Sequence, residues 1–269
     1  MRKYFLLFAM ILVMMILSGC GSSTDDKPEI KIGTLTQLNT SPEDASKLIS
    51  GGELNFYDNF NSMQMALSSG NINVIQTYGS VAKYMVENNP EFKINEKQTI
   101  SLVDDFCCAM REDDVALMSL FDSAIDSMKA DGTLNALVDK YIKNFDGAPV
   151  AIEIKKIDGA ETIKVGITGD LPMLDFVLAD GTPAGFNTAV LSEISKRIDK
   201  NIELVQIESA ARAAALNSKL VDVVFWVVVP ADDSSRPKDF DVPEGLVTTV
   251  PYYQDVVVNV NLSNLNINY

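Results

Sequence analysis

Apolar and polar positions along the chain follow two spacings, one typical of strands and one typical of helices. Residues 161–167 and 201–207 predict short strands. Residues 221–229 are apolar apart from Asp222, which is typical of a parallel strand covered on both faces. Residues 188–198 place apolar side chains at helical spacing. Strands that alternate with helices predict an α/β fold with largely parallel sheets.

One helix–turn–strand pattern occurs twice. Segments 66–75 and 215–224, which lie 149 positions apart, both read Ala-Leu-x-Ser-x-x-(Ile/Val)-(Asn/Asp)-Val-(Ile/Val). Each segment predicts the end of a short helix, a turn and an apolar strand. Two copies of one unit predict two lobes, each with its own sheet. We call residues 161–252 lobe 1 and residues 29–102 lobe 2.

The first twenty residues predict export. Arg2 and Lys3 precede an apolar stretch at 4–17, and the segment ends Leu17-Ser18-Gly19-Cys20. These last four residues resemble a bacterial lipobox, in which the cysteine becomes the lipidated first residue of the mature protein. We therefore expect a lipoprotein signal peptide at 1–20, a tether at 21–28, and a protein anchored through Cys20 to the extracytoplasmic face of the cell membrane. The alternative is an ordinary signal peptide with a chance cysteine.

Composition excludes several classes of function. The formal charge of −15 argues against a nucleic-acid partner, because phosphate binding needs a basic surface. The chain has no histidine, which excludes histidine-based catalytic triads and imidazole metal ligands. Its three cysteines cannot form a four-thiolate zinc site. We therefore expect no metal, no cofactor and no catalytic residues.

Cys107 and Cys108 are adjacent in a predicted strand, so their side chains should point to opposite faces. A disulfide between neighbours would be strained, and two packed thiols are the expected state.

Five segments together resemble a known family. The segments are 163–172, 180–186, 215–224, 250–253 and 128–141. They are similar to parts of the extracellular solute-binding proteins of ABC importers, in the amino-acid-binding group known as family 3. The resemblance implies the two-lobed type II periplasmic-binding-protein fold.

The order of the matching segments is unusual. The segment that resembles the end of the family's domain, 128–141, precedes the segment that resembles its beginning, 163–172. The resemblance therefore implies a circularly permuted fold; two damaged tandem domains are the competing account. Under permutation, the chain holds lobe 2, a crossing strand with helices that pack on lobe 1 (103–145), a linker (146–160), lobe 1, and a second crossing strand with a tail (253–269).

The resemblance also implies a ligand cleft between the lobes, at the carboxyl ends of strands and the amino ends of helices. The candidate ligand contacts are Asp170, Asp175, Phe176, Arg212 and Trp226 in lobe 1, and Thr34, Thr36, Asn39, Thr77 and Tyr78 in lobe 2. Trp226 and Phe176 offer flat apolar surfaces, and Arg212 can hold a carboxylate.

Three departures from the family pattern widen the range of expected ligands. Arg236 is the nearest match to the family's carboxylate-binding arginine, but an aspartate stands where the family has threonine. Tyr78 stands in place of the family's aspartate for the ligand amino group. Residues 41–44, Ser-Pro-Glu-Asp, place two acids in the first turn of a predicted helix and disfavour an anion there. A small polar or cationic solute is thus as credible as a zwitterionic amino acid.

The resemblance implies a receptor that delivers a small solute to the permease of an ABC importer by cleft closure. Two alternatives remain open. One is a sensor or adhesion ectodomain on the same fold, and the other is an enzyme such as a dehydratase, with Asp170 and Asp175 as an acid–base pair.

Overall fold

The computed structural model describes residues 30–36, 38, 52–95, 102–145, 149–231 and 242–265. The strands are β1 (Ile30–Leu35), β2 (Gly52–Tyr57), β3 (Val74–Tyr78), β4 (Phe92–Ile94), β5 (Leu102–Arg111), β6 (Thr162–Ile167), β7 (Asp170–Leu171), β8 (Asp175–Val177), β9 (Pro183–Ala184), β10 (Asn201–Gln206), β11 (Val223–Pro230), β12 (Leu246–Thr248) and β13 (Tyr253–Leu262). The helices are α1 (Phe60–Ser68), α2 (Gly79–Asn88), α3 (Val115–Ala130), α4 (Thr133–Val138), α5 (Phe186–Ile198) and α6 (Arg212–Asn217), with a π-helical turn at Asp139–Lys143 and a 3₁₀ turn at Ser209–Ala211. Within those ranges, no helix combines the length and the apolar character that a membrane crossing requires.

Ten of these strands form one sheet with the order β10-β6-β11-β5-β13-β3-β1-β2, to which β12 and β4 add at β5 and β13. The strands at each end of this order are parallel: β10, β6 and β11 belong to lobe 1, and β3, β1 and β2 to lobe 2. In the middle, β5 and β13 run antiparallel to each other and to their neighbours. The predicted α/β class is confirmed. The expectation of two separate sheets is wrong, because β5 and β13 pair with both parallel units and make the sheet continuous.

The repeated sequence pattern produces a repeated structure. Asn73 exchanges two hydrogen bonds with the backbone of Lys31: its Oδ1 accepts from Lys31 N, and its own N–H donates to Lys31 O, both at 2.8 Å. Asp222, at the matching position of the second copy, does the same with Lys164, at 3.0 and 2.8 Å. In both lobes, a polar side chain before the inner strand therefore fixes that strand to its parallel neighbour.

The turns of the two copies also match. Gly70 and Lys219 occupy equivalent positions with positive φ, 76° and 59°. The next residue in each copy donates its N–H to the carbonyl of the pattern's alanine, Ala66 or Ala215. The glycine adopts this left-handed conformation without strain, whereas the lysine carries a steric cost.

Helices α3 and α4 pack on α5 of lobe 1. The buried side of α3 contains Phe121, Ala124, Ile125 and Met128, as its apolar spacing predicts. Arg197 of α5 reaches across this helix contact and donates to Ser127 Oγ at 2.8 Å, Asp131 Oδ2 at 2.8 Å and Thr133 Oγ1 at 2.9 Å. The helices between the two sequence repeats are thus bound to lobe 1 by apolar packing and by one arginine.

Cys107 and Cys108 lie on β5, and neither forms a disulfide. Cys108 packs in the larger apolar core, and Cys107 packs in a smaller one on the opposite face of the sheet. The expectation of two packed thiols on opposite faces is confirmed.

Several sequence-based predictions fall outside the described residues. These are the signal peptide with Cys20, the tether, Asn39, the helix start at 41–44 and Arg236.

Replacing Asn73 with alanine should reduce the free energy of unfolding by about 1 kcal/mol, because Lys31 N loses its side-chain acceptor. Asn73→Asp should retain stability, since the second copy uses aspartate at this position. Exposed Asn71 provides the control, and Asn71→Ala should change little. Urea denaturation of the three variants checks this, and equal stability of Asn73→Ala and Asn71→Ala would contradict it.

Candidate functional site

The candidate site lies where the carboxyl ends of the two sets of parallel strands meet. In lobe 2 the chain leaves β1 at Thr36, β2 at Asp58 and β3 at Tyr78. In lobe 1 it leaves β6 just before Asp170 and reaches Ser209 just after β10. Ligands of α/β proteins bind at this edge, because loops and helix amino termini converge there. Several direct contacts between the lobes are concentrated in these segments.

Two of these contacts involve backbone N–H groups. Asp170 Oδ2 accepts a hydrogen bond from Phe60 N, at the first residue of α1. Ser209 N donates to Asp58 O at 3.3 Å. Burial raises the pKa of Asp170, and the Phe60 N–H and the positive charge of Arg212 oppose that rise. The lobe 1 carboxylate therefore lies at the positive end of a lobe 2 helix, which favours its ionised form.

Arg212 is the third contact, and its side chain is only 1% exposed. Its Nε donates to Ser209 O at 3.1 Å, and its Nη1 donates to Trp226 O at 2.7 Å. Its Nη2 crosses between the lobes to Thr36 O at 3.2 Å. Arg212, predicted to hold a ligand carboxylate, directs donors at backbone carbonyls and joins the lobes.

Trp226 is the centre of an aromatic group at this junction. Its ring lies 4.9 Å from the Arg212 guanidinium carbon, 6.0 Å from the ring of Tyr78 and 5.8 Å from that of Phe106. Tyr78 belongs to lobe 2, Phe106 to β5 and Trp226 to lobe 1. The three structural units therefore contribute one aromatic ring each. Trp226 Nε1 is buried and has no hydrogen-bond acceptor among the described residues.

Asp175 positions the loop that carries Asp170. Its Oδ2 accepts hydrogen bonds from Thr168 N at 2.9 Å, Thr168 Oγ1 at 3.0 Å and Gly169 N at 3.2 Å. The side chain is completely buried. Burial raises the pKa of Asp175 to about 6, although these hydrogen bonds lower it and the charge of Asp170 raises it further. Asp175 thus fixes the loop that carries Asp170.

The remaining predicted residues lie at different places around this edge. Phe176 is half-buried on β8, where it pairs with Asp170 on β7 and Ala184 on β9. Thr77 is buried and, as the neighbour of Tyr78 in a strand, points to the opposite face from the aromatic group. Thr34 is half-buried in β1, two residues before Thr36. Thr36 Oγ1 donates to Asp58 Oδ1 at 2.9 Å.

Three residues at the junction were not predicted as part of the site: Asp58, Phe60 and Ser209. A signal for Asp58 was present, since it directly follows a strand as Thr36 does. Phe60 contributes only its backbone N–H, which no side-chain pattern can reveal. Ser209 contributes a backbone N–H as well, and its buried Oγ has no hydrogen-bond partner within the described part of the chain.

Comparison with known proteins finds proteins similar to part of this chain. Residues 163–254 match the model of the family described as bacterial extracellular solute-binding proteins, family 3. The match covers 92 of the 269 residues, so the similarity to family 3 is shown for that segment. The matched segment contains Asp170, Asp175, Arg212 and Trp226, so the resemblance predicted for lobe 1 is confirmed.

A curated relative is the L-cystine-binding protein TcyJ of Escherichia coli (strain K12), which is 28% identical over 90 residues. The match covers 34% of this chain and 34% of that protein, so it spans about a third of the relative's length. Solved structures also align. A zinc-bound ligand-binding component of an ABC-type import system from Staphylococcus aureus gives a TM-score of 0.42 at 12% identity, covering 88% of this chain and 66% of that one. A probable amino-acid ABC transporter binding protein, ytmK of Bacillus subtilis, gives 0.40 at 13% identity, covering 88% and 84%.

The raised pKa of Asp175 predicts a pH dependence of stability. The pKa is about 6 in the folded chain, against about 3.9 for an unperturbed aspartate. Between these values the folded state binds more protons, so stability falls as pH rises from about 4 to about 6 and then stays level. Asp175→Asn removes this titration. The wild-type chain should lose about 2 kcal/mol more than Asp175→Asn between pH 4 and pH 7.

Urea denaturation across that pH range measures the difference. Exposed Asp158→Asn is the control and should keep the wild-type slope. Identical pH slopes for wild type and Asp175→Asn would show that Asp175 is not the group responsible.

Proposed function

We propose that this chain is an extracytoplasmic solute-binding protein that delivers a small polar solute to an ABC importer by cleft closure. One observation carries the proposal. The carboxyl ends of two sets of parallel strands meet beside the antiparallel pair β5 and β13. The chain passes from lobe 2 to lobe 1 through β5 and returns through β13. Two adjacent connections of this kind allow the lobes to rotate about them, as hinge closure requires. A solute that contacts both edges would favour the closed form.

The charges at the junction favour a cationic or zwitterionic solute. Asp58 and Asp170 lie at the meeting edges. Arg212 is the cation among the described residues of the junction, and it donates to three carbonyl oxygens of the chain itself. The rings of Tyr78 and Trp226 are 7% and 1% exposed, so an amine, which is attracted to aromatic faces, reaches them only when the junction opens. Amino acids and related amines are therefore the first solutes to test, and L-cystine joins them because the curated relative is named for binding it.

We favour binding over catalysis for the same site. An acid–base pair needs carboxylates that can reach a substrate. One oxygen of Asp175 accepts three hydrogen bonds from its own loop, and Asp170 contacts the amino end of α1. These interactions suit a structural role for Asp175.

We also propose that this fold is a circular permutation of the family 3 domain. The family match begins at residue 163, well past the middle of the chain. A unit with the same helix, turn and paired strands lies before it, at residues 60–78. Domain termini are often close together on the surface, which makes such a rearrangement tolerable.

A thermal-shift screen tests the binding proposal. The purified chain should be stabilised by a member of a panel of amino acids, L-cystine, amines and small peptides. At a concentration about 100-fold above Kd the stabilisation is roughly 2.7 kcal/mol. Trp226 is the chain's single tryptophan, so its fluorescence gives a second readout.

A cationic solute found in this way should bind at least about tenfold more weakly to Asp58→Asn, because a hydrogen bond to a charged group is worth roughly 1.5–3 kcal/mol. Asp158→Asn, which removes an exposed charge outside the site, should bind like wild type. Absence of any response across the panel would contradict the proposed function.

We propose that Cys20 carries a lipid that holds the protein at the membrane. Cells labelled with a radioactive or alkyne fatty acid should incorporate label into the wild-type chain and into Cys107→Ala, but not into Cys20→Ala. Fractionation should then find Cys20→Ala outside the membrane fraction. Label retained by Cys20→Ala would overturn the assignment of this residue.

A further inference from the structure

The lobes are joined at the candidate site by groups that belong to the chain itself. Asp170 of lobe 1 accepts from Phe60 N of lobe 2. Arg212 of lobe 1 donates to Thr36 O of lobe 2 at 3.2 Å. Both side chains act across the junction, and both come from segments that follow strands of lobe 1.

Asp170 makes a favourable contact with lobe 2 on three counts. Its carboxylate accepts from the first N–H of α1, a group that has no partner within the helix. The helix dipole places partial positive charge at this end. Arg212 adds a second favourable electrostatic interaction. A hydrogen bond between a charged acceptor and an N–H is stronger than one between neutral groups.

Arg212 is held in place before it reaches lobe 2. Two of its nitrogens donate to Ser209 O and Trp226 O within lobe 1, and its guanidinium stacks on the Trp226 ring. The remaining terminal nitrogen points at Thr36 O. Because the guanidinium is rigid and already ordered, little conformational entropy is lost when the lobes meet.

We propose that Asp170 and Arg212 form a latch between the lobes, so that the protein populates a closed form in the absence of any solute. This inference rests on the hinged, two-lobed arrangement of the proposed function. It adds that closure is driven partly by the chain's own contacts. A solute then binds a protein whose closed form is already present, and its entry requires release of the Asp170 contact.

Hydrogen exchange tests the latch on the wild-type chain alone. The full chain is purified in mild detergent, unfolded and refolded to remove solutes, and examined without additions. The Phe60 N–H has no acceptor within α1, so in an open form it exchanges at the rate of an unstructured amide. The latch predicts exchange at least about tenfold slower than that rate. Exchange at the unstructured rate would overturn the proposal.

Asp170→Ala removes the carboxylate, and Asp158→Ala removes an exposed carboxylate elsewhere as the matched control. In Asp170→Ala the Phe60 N–H should lose its protection. Acrylamide should also quench Trp226 at least about twice as efficiently, since opening separates its ring from Tyr78. Asp158→Ala should match wild type in both measurements. If Asp170→Ala also matches wild type, the latch does not exist.

Asp170→Asn keeps an acceptor oxygen without the charge and guards against misfolding of the alanine variant. It should give intermediate exchange and quenching, with a cooperative thermal transition that shows a folded chain. Full wild-type protection in a folded Asp170→Asn would contradict a latch that depends on charge. The solute screen is independent of these measurements, so a failed latch leaves the binding function standing, and a failed screen leaves the latch measurable.

Discussion

The antiparallel pairing of β5 with β13 is the interaction on which the rest of the structure depends. Tyr253 pairs with Phe106 and Val257 with Leu102, and each strand also pairs with the inner strand of one parallel unit. This pairing joins two similar units into one sheet. It also fixes the position of their carboxyl edges, because each unit can only be placed where its inner strand meets a crossing strand. The junction of Trp226, Tyr78 and Phe106 follows from that placement.

The two units share their local construction and differ at their edges. Asn73 and Asp222 fix the inner strands in the same way. Gly33 and Gly166 occupy corresponding positions in β1 and β6, where an added Cβ would overlap an isoleucine side chain, Ile72 or Ile207. Among the described residues, the short sheet β7-β8-β9, which carries Asp170, is found in lobe 1. The duplicated part therefore forms the scaffold, and the contact with lobe 2 comes from Asp170 of the short sheet together with Ser209 and Arg212.

Buried carboxylates connect the elements of this scaffold. Asp170 lies at the amino end of α1, and Asp255 of β13 lies at the amino end of α2, where it accepts from Ser80 N at 3.1 Å and Ser80 Oγ at 2.6 Å. Burial raises the pKa of Asp255 as it does that of Asp170. The two described helices of lobe 2, α1 and α2, thus each receive a carboxylate from another part of the chain. The desolvation cost is offset by N–H groups that would otherwise lack a partner.

The sequence by itself determined the α/β class, the duplicated helix–turn–strand unit, the opposite orientations of Cys107 and Cys108, and the positions of Thr36 and Asp170 just after strands. These features follow from local spacing of apolar residues and from turn residues, which act within a few positions of the chain. Only the tertiary structure decided that the two units share one sheet and that Arg212 donates to backbone carbonyls. It also decided that Asp170 reaches Phe60 N. These interactions join residues more than a hundred positions apart, or use backbone groups that every residue carries, so no local pattern specifies them.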